Sequence, residues 1–120
     1  MRHTALERWL ENVRQRNVDQ TVAGYAEDAV LLGTLSPILR QGRKAIDEYF
    51  RMFLDQDAVE VEVTQEVARE FDDLAISSGL YTFSLTKKGE AKTVPARFTF
   101  VFRRKGPTWE IVEHHSSRLP

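Results

Sequence analysis

The feature that most constrains the fold is a change of hydrophobic period near residue 58. Before it, apolar residues recur at helical spacing; after it, they alternate with polar ones. Leu6, Trp9, Leu10 and Val13 mark one face of a first helix, with charged residues between them. Ile46, Tyr49, Phe50 and Phe53 mark a later helix that Gly42 opens and the stretch from Asp55 to Asp57 ends. Beyond it, Val59, Val61 and Val63 alternate with Glu60 and Glu62. Tyr81, Phe83 and Leu85 share one side of the next strand, and Phe98, Phe100 and Phe102 one side of the strand after that. Turns at Asp72-Asp73, Lys87 to Glu90 and Lys105 to Thr108 separate four meandering strands, the last from Trp109 to Ser117. Helices in front and strands behind predict an α+β fold, an antiparallel sheet wrapped onto the helices.

The junctions carry their own signals. Thr4 is expected to cap the first helix, with Glu7 reaching back to the cap. Asn17-Val18-Asp19 interrupts that helix, and a short second helix follows with Asp19 near its cap and Val22 and Tyr25 facing inward. Ala29 to Leu32 reads as a short strand that Gly33 ends, leading into a loop through Ser36 and Pro37. Both sheet faces carry apolar residues, so the Phe98, Phe100, Phe102 row fits either the helix-covered face or a subunit contact.

Composition narrows the chemistry. A chain of 120 residues is expected to form one domain, 1–120. Its net charge of −1 argues against nucleic acid as a partner, despite Lys87, Lys88 and Lys92 near one hairpin. The absence of cysteine removes thiol catalysis and thiolate zinc sites. His114 and His115 are adjacent, so in a regular strand they point to opposite faces and do not share a metal; His3 adds no ligand spacing. There is no glycine-rich dinucleotide fingerprint and no kinase motif, so neither cofactor nor metal is expected. No apolar run is long enough to span a membrane and no secretory signal is visible, which makes the cytoplasm the expected compartment and a membrane partner unexpected.

One resemblance covers essentially the whole chain. Its carriers are Phe98-Thr99-Phe100-Val101-Phe102-Arg103-Arg104-Lys105-Gly106 and Trp109-Glu110-Ile111-Val112-Glu113-His114-His115-Ser116-Ser117. Trp9, the run Tyr25-Ala26-Glu27-Asp28-Ala29-Val30-Leu31, and Gly42 with Ile46 and Phe50 fit as well. The sequence resembles bacterial relatives of the association domain of calcium/calmodulin-dependent protein kinase II. These belong to the cone-shaped superfamily of nuclear transport factor 2 (NTF2-like) and the SnoaL-like polyketide cyclases. The resemblance implies an NTF2-like cone: a strongly bent sheet, a pocket closed by helices, and a homodimer through the sheet face that extends to rings in the kinase hub.

It also implies site residues. His115 matches the pocket-facing histidine of the hub ending, with His114 at the rim or interface. Parity then points Trp109, Ile111, Glu113 and Ser117 inward too, with Arg97, Thr99 and Val101 on the matching face of the preceding strand. Arg97 in a cone would need an anion, either Glu113 or a bound carboxylate or phosphate. Trp9, Tyr25, Tyr49 and Tyr81 are expected to line or fill the cavity. The leading expectation is therefore a small acidic or aromatic ligand held by these residues. Two alternatives stand beside it. One is a cofactor-independent isomerase, cyclase or dehydratase in which Asp28 and His115 move protons. The other is a purely oligomerising association module.

Overall fold

The computed structural model describes residues 2–120. Helices α1 (Thr4–Arg14) and α2 (Val18–Ala23) lead into strand β1 (Tyr25–Leu32). A short strand β2 (Leu39–Gln41) and helix α3 (Arg43–Phe53) follow. Then come the long strands β3 (Ala58–Phe71), β4 (Leu74–Lys87), β5 (Glu90–Lys105) and β6 (Thr108–Arg118). The six strands form one curved, open sheet in the order β2-β1-β6-β5-β4-β3. Every pairing is antiparallel except β1 with β6, which is parallel. This is the expected α+β cone, with β2 as an added element that three residues are too few to announce.

The helix starts differ from expectation. The His3 imidazole, rather than Thr4, caps α1: its Nδ1 accepts from the Ala5 N–H at 3.1 Å. The Glu7 carboxylate pairs with Arg2 instead of reaching back. Asn17 caps α2 by accepting from the Gln20 N–H at 3.0 Å, and Asp19 sits inside the first turn. Gly24 then ends α2, so Tyr25 opens a strand instead of closing a helix.

The helical faces read from the sequence are the buried ones: Leu6, Trp9, Leu10 and Val13 on α1, Ile46, Tyr49, Phe50 and Phe53 on α3. They pack on the inner sheet face, where Phe83, Phe98, Phe100 and Phe102 are buried. Each such side chain stabilises the fold by roughly 1.5–3 kcal/mol. The phenylalanine row of β5 thus belongs to the core, not to a subunit contact.

Three irregularities decide which residues face inward. The β3–β4 register slips between Val63 and Gln65, and the bulged backbone crosses close to Gly79. A β-carbon on Gly79 would lie 2.0 Å from the Gln65 carbonyl oxygen, so only glycine fits. On β6, Ile111 pairs with Phe102 and Glu113 with Val101, which leaves Val112 as an extra residue. On β1, Tyr25 pairs with Ile111 but Val30 with Glu113, so the intervening residues leave the ladder.

Candidate functional site

The Val112 bulge resets the alternation of β6. Ile111 faces inward, and so do His114 and Ser116, which are buried; His115 is exposed on the opposite face. The expected inward placement of His115 is therefore corrected, and the reason is one inserted residue. Arg97, Thr99, Glu113 and Ser117 share the outer face with His115, where Arg97 opposes Ser117 and Thr99 opposes His115. An outward Arg97 needs no buried counter-charge. Asp28 is exposed where β1 leaves the ladder. Asp28 and His115 thus do not meet in a cavity, and the expected acid–base pair is not assembled.

Trp9, Tyr25, Tyr49 and Tyr81 are buried in the interior. Three of them join a continuous hydrogen-bonded chain that the sequence reading missed. Trp9 Nε1–H donates to the Tyr25 hydroxyl at 3.1 Å. Tyr25 Oη lies 2.8 Å from His114 Nδ1, and Tyr81 Oη lies 3.2 Å from His114 Nε2. Tyr81 donates to Ser116 Oγ at 2.6 Å, and the Ser116 hydroxyl bonds that of Thr34.

Counting protons fixes the direction of this chain. Indole is a donor only, so the Tyr25 oxygen accepts from Trp9 and its own proton goes to His114 Nδ1. Tyr81 spends its proton on Ser116, so its oxygen accepts from His114 Nε2–H. A neutral His114 protonated on Nε2 satisfies both contacts. Burial agrees: it lowers the His114 pKa to about 3, with a smaller contribution from His115. The ring stacks on Phe100 at 3.8 Å between centroids, a flat apolar seat for an uncharged imidazole. Burial raises the pKa of Tyr25 and Tyr81 as well, so both stay protonated donors.

Tyr49 closes the interior at the loop after β1. Its hydroxyl accepts from the Leu35 N–H at 3.3 Å, and burial raises its pKa to about 12. The space left between Tyr49, Tyr81, His114, Ser116 and Thr34 is about 10 Å³. That is close to the minimum for a single water. Among the described residues no cluster of three or more histidines and acids could hold a metal. Nor, among the described residues, is any helix long and apolar enough to cross a membrane.

The sequence matches the SnoaL-like domain family over residues 3–120. The chain belongs to the SnoaL-like family. The domain is similar to a solved structure described as a "putative calcium/calmodulin dependent protein kinase II association domain" from Xanthomonas campestris. That similarity has 37% identity and a TM-score of 0.90 over 96% of this chain and 83% of the other. An NTF2-like protein of unknown function from Pseudomonas putida KT2440 is 24% identical, with a TM-score of 0.81 over 94% and 80% of the two chains. An NTF2-like protein with a cystatin-like fold from Novosphingobium aromaticivorans shares 14% identity, with a TM-score of 0.78 over 96% and 77%. The last two similarities concern the fold alone. No curated protein matches the sequence.

Within this SnoaL-like domain the residues that sequence reasoning missed are His114, Ser116 and Thr34. A strand bulge leaves no compositional mark: an inward Ile111 fits His115 by plain alternation as well as it fits His114 across an extra residue, and only the pairing of Ile111 with Phe102 and Glu113 with Val101 decides.

Proposed function

We propose that this SnoaL-like domain is a homodimeric small-molecule-binding protein whose ligand displaces side chains of the tightly filled cone interior and then rests against the Tyr25–His114–Tyr81–Ser116 chain. One observation carries the reading: the polar groups of six side chains run in line through an otherwise apolar core. Removing polar groups from water is unfavourable unless each finds a partner, and apolar residues of equal volume fill a core as well or better. A ligand that bonds to an oriented polar chain supplies a reason for the line. The aromatic walls and the neutral histidine favour an aromatic ligand over an acidic one. With Asp28 outside, binding is better supported than Asp–His proton transfer.

The outer sheet face is assigned to a second copy of this chain. Val67 and Phe71 are 63% and 51% exposed there, beside half-buried Ile76, Leu80 and Val101. Arg97 and Arg103 with Glu113 put both signs of charge on the same face, as a self-complementary two-fold contact needs. The relative at 37% identity is itself described as an association domain.

Calorimetric titration of small aromatic compounds tests the interior. A ligand whose affinity drops at least about tenfold in Tyr81→Phe supports it, since one oriented hydrogen bond is worth roughly that factor. Failure of every aromatic probe to shift the His114 ring signals overturns it. Sedimentation equilibrium separates a dimer from a ring, and a monomer at all concentrations removes the second copy.

A further inference from the structure

The mouth of the interior, where residues 33–38 meet α3, already contains a bound phenol: the side chain of Tyr49. Its ring lies against Gly33, so closely that a β-carbon there would sit 2.4 Å from the ring. Phe50 and Phe53 flank it at 5.1 and 5.6 Å between centroids. The Arg40 guanidinium stands 5.7 Å from the ring centroid. The Leu35 N–H donates to the phenol oxygen, and the N–H and hydroxyl of Thr34 face the same oxygen. The Arg40 Nε is buried without a hydrogen-bond partner among the described residues. Donors thus converge on one oxygen of a flat ring, with a cation near its face.

The remaining void of about 10 Å³ admits no second ring. An external aromatic compound reaches Thr34, Ser116 and Tyr81 only if the Tyr49 ring leaves. Of the donors that face its hydroxyl, only the Leu35 N–H makes a full hydrogen bond, at 3.3 Å, and an incoming ring with an oxygen would restore what the departing one loses. We infer that Tyr49 is a removable internal stand-in, and that the ligand which displaces it is an uncharged hydroxylated aromatic ring. This rests on the interior-binding reading above and names the ligand class for it. The uncharged class follows from the surroundings. The chain beyond the mouth carries no charge, and Arg40 already donates to the Ala45 carbonyl and faces Glu48 at 3.7 Å.

The test compares p-cresol with benzoate on wild type, Tyr49→Phe, Tyr49→Ala and the double variant Tyr49→Phe with Thr34→Val, by calorimetry and amide NMR. Tyr49→Phe keeps the ring but frees the donors at Thr34 and Leu35. It is expected to bind p-cresol about tenfold tighter than wild type, with the Thr34 and Leu35 amide signals moving. The double variant should lose that gain, and benzoate should bind more weakly throughout. Equal p-cresol affinity in wild type and Tyr49→Phe overturns the stand-in. Tighter binding of benzoate than of p-cresol overturns the uncharged class. Tyr49→Ala, checked for folding by circular dichroism, separates the two levels. If it takes p-cresol while Tyr49→Phe gains nothing, only this inference fails. If no variant binds either probe, the interior-binding reading fails with it. Because Tyr49→Phe is conservative, the comparison survives even where the alanine variant does not fold.

Discussion

The two faces of β5 and β6 differ by a single step along the chain and by almost everything else. Phe98, Phe100, Phe102, His114 and Ser116 form the inner row, all buried. Arg97, Thr99, Val101, His115 and Ser117 form the outer row, half-buried or exposed. The pairs His114–His115 and Ser116–Ser117 are chemically identical, yet their fates diverge. His114 is an uncharged link between two tyrosines; His115 lies beside Arg97 and Thr99 on an open surface. Residue type sets what a side chain is able to do, and the face it takes decides whether it does so.

The largest expected effect comes from unbuilding the inner row. Phe100 stacks on His114 and on Phe102 and meets Trp9 edge-on. Phe100→Ala should cost about 3–5 kcal/mol of stability by urea denaturation. Thr99→Ala, one residue away, should stay within about 0.5 kcal/mol at concentrations too low for self-association. Similar costs for the two would dissolve the distinction between the faces.

Acid should act through the inner histidine. Folded His114 has its pKa lowered to about 3 by burial; an unfolded histidine titrates near ~6.5. Between these values the unfolded chain holds the additional proton, so stability falls as pH falls. The contribution is complete above about 6.5 and lost below about 3. From pH 7 to pH 5 this amounts to about 2 kcal/mol, on the order-of-magnitude basis of one pKa unit per ~1.4 kcal/mol. His114→Gln should flatten that slope in parallel denaturation curves at the two pH values. An unchanged slope would show that His114 does not titrate as a buried group.

A smaller loss is expected at Tyr81. Tyr81→Phe keeps the ring stacked on Trp9 but removes the oxygen that joins His114 to Ser116. Two buried polar groups lose a partner, which should cost about 1–3 kcal/mol. The His114 ring NMR signals should shift, while those of His115 stay in place. Movement of both would mean that the faces communicate.

How much of this was legible follows from where pattern is local. The faces of α1 and α3 came from spacing alone, because a helix without interruption keeps its period. Trp9 and Tyr49 follow from those helical faces and Tyr81 from strand alternation with Phe83, whereas Tyr25 is buried although it opens a strand and not the helix expected for it. Parity failed on β6 because alternation survives only until the first bulge, and Val112 is an ordinary strand residue with nothing to mark it. Without Val112, a count outward from Ile111 would have put His114 inside. Asp28 was misread for a related reason: β1 leaves its ladder between Tyr25 and Val30, where tertiary pairing rather than local sequence decides the path. The cap of α1 shows the same limit, since His3 is recruited there by stacking on Phe102, a residue far along the chain.

The smallest effect on the monomer should come from the outer face, and it is the most informative about assembly. Leu80 is half-buried there, paired across β4 and β5 with Arg97. Leu80→Glu removes no interior contact, so the isolated chain should lose at most about 0.5 kcal/mol. In a homodimer built on this face the same change places a charge in a desolvated contact, on both sides of the two-fold at once. Sedimentation should then show the wild type as a dimer and Leu80→Glu as a monomer at the same concentration. The unfolding midpoint of the wild type should rise with protein concentration while that of the variant does not, because association stabilises only the folded chain. A variant that still dimerises would move the contact off this face, and the outer row would then be solvent-facing surface.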